Sequence, residues 1–259
     1  SDEAAAATTT TAATGNAPVQ SGLRGIDDWA FAYSSKLHSV IGLEHVSCSL
    51  ARIGENAFWY CENLAFFDFS CLARLRAMKV WAFAHCHSLT VADLSNSLQL
   101  QNMGKCIFSC CHALHAIHLP PNLREIQLSA FVECFALVSI VIPASVTRLG
   151  IGSFANCSSF TTVTFESTQR LHLLMSLEQF RDTPSLHTLE LQGPAIPREL
   201  WPRLLEQFFR EENGLLARAG ICNGKQRITI AWNFVRKNIA NFYIDEKKPA
   251  HGRKRDILG

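Results

Sequence analysis

The sequence has no long hydrophobic run, since no window approaches 18 consecutive apolar residues, so no transmembrane segment is expected. Charge of either sign is also scarce: the net value of +2 is too small to imply a nucleic acid or an anionic membrane as partner. His-Glu-x-x-His, Gly-x-Ser-x-Gly, the Walker loop and Gly-x-Gly-x-x-Gly are all missing. Acyl and phosphoryl transfer therefore have no local signature, and the chain reads as no enzyme. A starting methionine is missing too, and Ser1 in its place reads as a processed form or a fragment.

What is present is repetition. With Phe154 as reference, Val146 and Leu149 precede it and Cys157, Phe160, Val163 and Phe165 follow at fixed offsets. The same frame fits around Phe131, with Leu123, Ile126, Cys134, Leu137, Ile140 and Ile142, and around Phe108, Phe83 and Phe58. Two weaker copies surround Phe31 and Phe180, with Ser34 and Thr183 in the cysteine slot. The reference phenylalanines lie 27, 25, 25, 23, 23 and 26 residues apart, a period that marks a solenoid. One copy cannot bury its own apolar anchors, so copies must stack and share a core. Each copy ends in apolar-polar-apolar alternation, which suits a short strand paired in parallel with its neighbours.

Ser129-Ala130-Phe131-Val132-Glu133-Cys134-Phe135-Ala136-Leu137, continuing through Ile140-Val141-Ile142-Pro143-Ala144-Ser145-Val146, resembles the BspA-type leucine-rich repeat. The resemblance covers about residues 23–192. It implies an α/β repeat: a right-handed leucine-rich-repeat solenoid of about seven coils, 23–27 residues each, with parallel strands. It also implies a binding scaffold with no shared catalytic residue.

Alternate strand residues should point away from the core in two columns. The first is Ser39, Phe66, Val91, Ala116, Ser139, Thr162 and Thr188; the second is Ile41, Asp68, Asp93, His118, Val141, Thr164 and Glu190. By the resemblance this is the partner face. Its candidate binding residues are Phe66, Asp68, Val91, Asp93, His118, Val141, Thr164 and Glu190, for a protein partner of unknown identity. Five of the ten cysteines, Cys61, Cys86, Cys111, Cys134 and Cys157, share one slot and should form a buried, reduced column. Free thiols favour an intracellular or organellar compartment, which is compatible with a place in a membrane-associated complex.

The termini leave the pattern. Residues 1–21 are Ala/Thr-rich and read as a disordered leader, and residues 22–192 as the solenoid. In residues 193–244 two helices are expected, Pro197 to about Arg210 and about Ile228 to Tyr243, separated by a turn at Cys222-Asn223-Gly224-Lys225. They serve as a helical cap or, alternatively, dock the chain into a larger complex through Trp201, Phe208, Trp232 and Tyr243. Residues 245–259 form a basic tail, read as solvated.

One cluster bears on chemistry. His85-Cys86-His87 and Cys110-Cys111-His112 occupy matching slots in adjacent copies. His85, His87, Cys110 and His112 form a candidate zinc set, a minor alternative to a chain without cofactors. Neighbouring copies carry Tyr60, Glu62, Glu133, Phe135, Asn156 and Ser158 there, which reads as ordinary variable surface. Asn156-Cys157-Ser158 matches a glycosylation sequon, but Cys157 belongs to the core pattern and chance explains the match.

Overall fold

The computed structural model describes residues 24–41, 50–69, 72–167, 177–186, 188–192, 216–222 and 225–231. Each coil contributes a short strand, a run of turns and a second strand. In chain order these are β1 (Gly25–Ile26) and β2 (Ser39–Val40), β3 (Arg52–Ile53) and β4 (Phe66–Phe67), β5 (Ala77–Met78) and β6 (Val91–Asp93). Then follow β7 (Ala116–His118), β8 (Glu125–Ile126) and β9 (Ser139–Ile142), β10 (Arg148–Leu149) and β11 (Thr162–Phe165), and finally β12 (Thr188–Leu191), β13 (Leu216–Cys222) and β14 (Lys225–Ala231).

The second strands carry the sequence alternation and pair in parallel. β11 lies between β9 and β12, β7 pairs with β6, and β4 with β2. A second file of strands was not read from the sequence. β1, β3 and β5 pair in parallel, bridges at Met78–Met103 and Asn102–Glu125 continue the line, and β8 pairs with β10. Its inward residues Ile26, Ile53, Met78, Met103, Ile126 and Leu149 are all buried. Each coil is thus sheathed by backbone pairing on two sides.

Between the two strands lies the feature that overturns the α/β reading. The backbone takes left-handed φ two residues before and two residues after the reference phenylalanine. The pairs are Trp29 and Tyr33, Asn56 and Tyr60, Trp81 and His85, Cys106 and Cys110, Ser129 and Glu133, and Gly152 and Asn156. A helix sends each N–H back to a carbonyl four residues earlier. Here the N–H groups go to the next coil instead: Asn56 donates to Val80 at 3.0 Å, Phe58 to Ala82 at 2.8 Å and Tyr60 to Ala84 at 3.0 Å. The next coil repeats this from Trp81, Phe83 and His85 to Lys105, Ile107 and Ser109. With alternate donors committed between coils, and those between them closing turns three residues back, as Trp59 does to Asn56 and Cys61 to Phe58, this segment cannot be an α-helix. A 3-10 turn at Leu177–Phe180 is the one helical element among the described residues.

The reference phenylalanines stack in a single file. Phe31, Phe58, Phe83, Phe108, Phe131, Phe154 and Phe180 follow one another with ring centroids 4.9–5.8 Å apart and planes within 7–19°. Such offset stacking adds about 0.5–1.5 kcal/mol per pair to area burial. Five of these copies carry the full anchor set. Phe31, in the first described coil, is only partly buried.

The cysteine column is free and buried, with a role the packing argument missed. Each thiol donates to the carbonyl of the phenylalanine in the preceding coil. Cys61 reaches Phe31 at 2.9 Å, Cys86 reaches Phe58 at 3.2 Å, Cys111 reaches Phe83 at 3.1 Å, Cys134 reaches Phe108 at 3.2 Å and Cys157 reaches Phe131 at 3.1 Å. The slot therefore wants a small side chain that can donate; Thr183 at the far end keeps a donor there but turns it on the Phe180 carbonyl of its own coil. Burial pushes the Cys61 thiol up to about 11 and the Cys157 thiol up to about 12, and the three between them well above the ordinary range.

Gly54, Gly104 and Gly150 hold one further slot, four residues before the reference phenylalanine, in every second coil. A Cβ at Gly104 would overlap the backbone of Lys79 and Val80, and one at Gly150 the backbone of Gln127 and Leu128. The coils approach closest here, and a methyl group would wedge them apart.

The expected C-terminal helical cap is corrected. Ile228–Ala231, read as the start of a helix, lies in β14, which pairs antiparallel with both β12 and β13. Residues 227–230 alternate polar and apolar with β-branched Ile228, Thr229 and Ile230, and the open edge of β12 offers a partner for that period. Cys222 pairs with Lys225, while Asn223 and Gly224 of the expected turn lie outside the described residues. The Pro197–Arg210 helix, and Trp201, Phe208, Trp232 and Tyr243, lie outside the described residues, as do the leader 1–21 and the tail 245–259.

Two outcomes follow. Gly104→Ala destabilises the protein by about 2–3 kcal/mol, the cost of overpacking against backbone that cannot yield, read as a lower urea midpoint. Gly25→Ala, where a Cβ meets only Arg52 at 3.4 Å or more, costs under about 1 kcal/mol. The column thiols set an alkaline limit. In the unfolded chain they ionise near about pH 8.5. In the folded protein they stay neutral to about 11 at Cys61 and about 12 at Cys157. The unfolded state thus loses protons first, so their contribution is complete below the unfolded value and is lost as pH rises towards the folded values. The urea midpoint falls across that window, and a Cys61→Ser, Cys157→Ser double variant falls less steeply.

Candidate functional site

The outer face of the second-strand sheet is built by register. Ser39 pairs with Phe66, Val91 with Ala116, and Ser139, Thr162 and Thr188 lie side by side. In the other column Asp93 pairs with His118, and Val141, Thr164 and Glu190 are neighbours. Because side chains alternate across a strand, the inward partners Phe67, Ala92, Ile117, Ile140 and Val163 are buried while this set faces out.

The face is uneven. Phe66, Val141 and Val91 are exposed at 50%, 47% and 37%, three large apolar side chains held outward. Asp93 is half-buried and already engaged: its Oδ1 accepts from the Ser95 N–H at 3.0 Å and lies 3.7 Å from His118 Nδ1. Hydrogen bonds from Ser95, with His118 adding to them, hold the Asp93 carboxyl below its usual range against the opposing effect of burial. Asp68 and Glu190 are half-buried and His118 is exposed. Thr164 departs from the expectation. It is 7% exposed, flanked by paired strands on both sides, and its hydroxyl donates to Glu190 Oε2 at 3.2 Å. It supports the face and does not present itself on it.

The turn ridge carries a second set of groups. His87 and His112 stack with ring centroids 4.4 Å apart and planes 1° from parallel, and His112 stacks on Phe135 at 4.7 Å. His85 lies flat on Tyr60 at 4.2 Å. The expected zinc set is therefore not gathered as written. His85 is drawn onto Tyr60, while Cys110 and His112 come together with Glu133, ligand atoms within 4.8 Å of one another. Glu133 was passed over as variable surface, though its slot is that of Cys110 one coil earlier. Burial, with His87 next, lowers the His112 imidazole, and burial followed by His87 and His112 lowers that of His85. Burial raises the Cys110 thiol.

An aromatic cluster in the first described coils was also missed. Trp29 packs edge-on to Trp59 at 5.5 Å, Trp59 stacks on Trp81 at 5.8 Å, and Tyr33 stacks on Tyr60 at 5.6 Å. The shared slot of Tyr33 and Tyr60 in successive coils was the available signal. Trp29, Tyr33 and Trp81 nonetheless remain exposed.

Among the described residues no helix is long and apolar enough to cross a membrane. No curated protein matches the chain in sequence. Among solved structures it is similar to a leucine-rich repeat protein of T. pallidum, with 23% identity over 66% of this chain and 63% of that one and a TM-score of 0.41. It thus spans less than two thirds of that protein's length. It is also similar to a leucine-rich cell surface protein of Faecalibacterium prausnitzii A2-165 (14% identity, 72% and 74% covered, TM-score 0.37) and to the pneumococcal vaccine antigen PcpA (14%, 68% and 67%, 0.36). The profile of the BspA type leucine-rich repeat region matches six copies, over residues 13–102 and 78–194, where the sequence frame read seven coils. The count of seven is not carried further. The match spans more than half of the 259 residues, and the coils it marks stack through one phenylalanine file. The chain belongs to the BspA-type leucine-rich repeat family.

Proposed function

We propose that this protein is a non-catalytic interaction scaffold whose second-strand face binds a protein partner. The observation that carries the reading is three large apolar side chains held outward, Phe66 and Val91 in the first column and Val141 in the second, on strands locked to their neighbours. Large apolar side chains held in water at fixed spacing favour a partner that covers them. The coils are ordered before binding, so little conformational entropy is lost when the partner arrives. The acids at Asp68, Asp93 and Glu190 and the imidazole of His118 edge the three apolar side chains and would set the partner's register. Repeat families of this kind supply binding surfaces, which agrees with this role.

In this reading residues 22–192 are the binding unit, residues 1–21 a leader and residues 245–259 a tail. The segment 193–244 is not independent of the solenoid, because its hairpin completes the solenoid sheet at β12.

The test is binding by matched variants. Full-length protein and a Phe66→Glu, Val141→Glu variant are compared for the partner captured from native cells, with affinity then measured on the purified pair. The variant loses about 100-fold or more in affinity, the scale of an apolar hot spot, with an unchanged urea midpoint. Equal binding by the variant, with loss instead in Trp201→Ala, Trp232→Ala, would replace this reading with docking through the C-terminal segment.

A further inference from the structure

The ridge of the turns holds a group of side chains that the scaffold reading leaves unused. Cys110 and Glu133 occupy the same left-handed position in successive coils, and the Cys110 Sγ lies 3.5 Å from Glu133 Oε2. His112 sits two residues beyond Cys110, and all three side chains are half-buried. Their ligand atoms lie within 4.8 Å of one another.

We propose that Cys110, His112 and Glu133 form a zinc site with one coordination position left open. A tetrahedral zinc ion has bonds of about 2.3 Å to thiolate sulfur and about 2.1 Å to carboxylate oxygen, which holds those two atoms about 3.6 Å apart. The Cys110–Glu133 separation of 3.5 Å already meets this. The remaining pairs need only a small side-chain closure. Donor chemistry agrees: sulfur, imidazole nitrogen and carboxylate oxygen together suit zinc over the hard cations. One thiolate and one carboxylate also neutralise a dication.

The positions are held before any ion arrives. The Cys110 N–H donates to Val132 at 2.8 Å and the Glu133 N–H to Ala155 at 2.9 Å, so both backbones are tied to the coil beyond. His112 is sandwiched between His87 at 4.4 Å and Phe135 at 4.7 Å, which fixes its ring plane and leaves its edge for coordination. Binding converts Cys–SH and Zn²⁺ into a zinc thiolate and one proton released to solvent.

The full-length reduced protein is titrated with Zn²⁺, and with Co²⁺ as a spectroscopic probe. One equivalent of Co²⁺ gives a thiolate-to-metal charge-transfer band, which Zn²⁺ displaces. Cys110→Ser abolishes the band, Glu133→Gln weakens affinity by about tenfold or more, and Cys106→Ser leaves both unchanged. Circular dichroism of each metal-free variant confirms the fold. Absence of a charge-transfer band in the wild type, its survival in Cys110→Ser, or unchanged affinity in Glu133→Gln overturns the site.

Discussion

The structure depends on where the turn segment sends its backbone N–H groups. In the coils around Phe31, Phe58, Phe83, Phe108 and Phe131, three of them in alternate positions around the reference phenylalanine donate forward to carbonyls of the next coil. That direction requires left-handed φ on both sides of the phenylalanine, a conformation that costs a residue with a Cβ about 1 kcal/mol or more. The chain takes it at Trp, Tyr, His, Cys and Glu as well as at Asn and Gly152. Hydrogen bonds to the next coil and burial of the phenylalanine between them must offset that strain, and they exist only if a neighbouring coil is present. The coil is therefore not a unit that folds and then stacks. Its conformation is a consequence of stacking.

The same ladder explains how surface chemistry is organised. Once backbones are in register, equal slots in successive coils become columns, and a column sets side chains about 5 Å apart. On the strand face this yields the column that holds Phe66 and Val91 and, beside it, the column that holds Asp93, His118 and Val141. On the turn ridge it stacks His87 on His112 and brings Cys110 beside Glu133. Inside, it points each column thiol at a phenylalanine carbonyl one coil back. The apolar file, the thiol file and the outer columns all express one translation. A substitution in one coil therefore acts on two neighbours.

Much of this was legible because burial imposes periodicity on residue type. The phenylalanine file, the cysteine column and the outward columns could be read directly. The coil class could not, since left-handed turns have no residue preference when Trp29, His85 and Cys110 all adopt them. Only the backbone partners distinguish such a segment from a helix. The second strand file was hidden for a related reason: two-residue strands such as Arg52–Ile53 are too short to show alternation. The glycines at 54, 104 and 150 were visible, but their meaning required the backbone of the preceding coil. Thr164 was misplaced because alternation predicts direction and not coverage; the strands beside it and the Glu190 carboxylate take its exposure away. Glu133 was compared in the slot of His85 and Cys110 but set aside, because Tyr60 and Asn156 in the matching slot of other copies made the position read as variable surface.

A parallel stack has no internal reason to stop, since the last coil offers the same donors and acceptors as every earlier one. Reversal of direction supplies the stop. β14 pairs antiparallel to β12, so the residues at that edge no longer repeat the spacing that another coil would require. β13 then covers β14 with a further antiparallel register. A helix would have shielded the core at this end without satisfying the edge of β12, whereas a strand hairpin pairs that edge directly. The alternating residues around Ile228 and Ile230 suit that task, which is why a segment that scans as an amphipathic helix is a strand here: the open edge beside it selects the period.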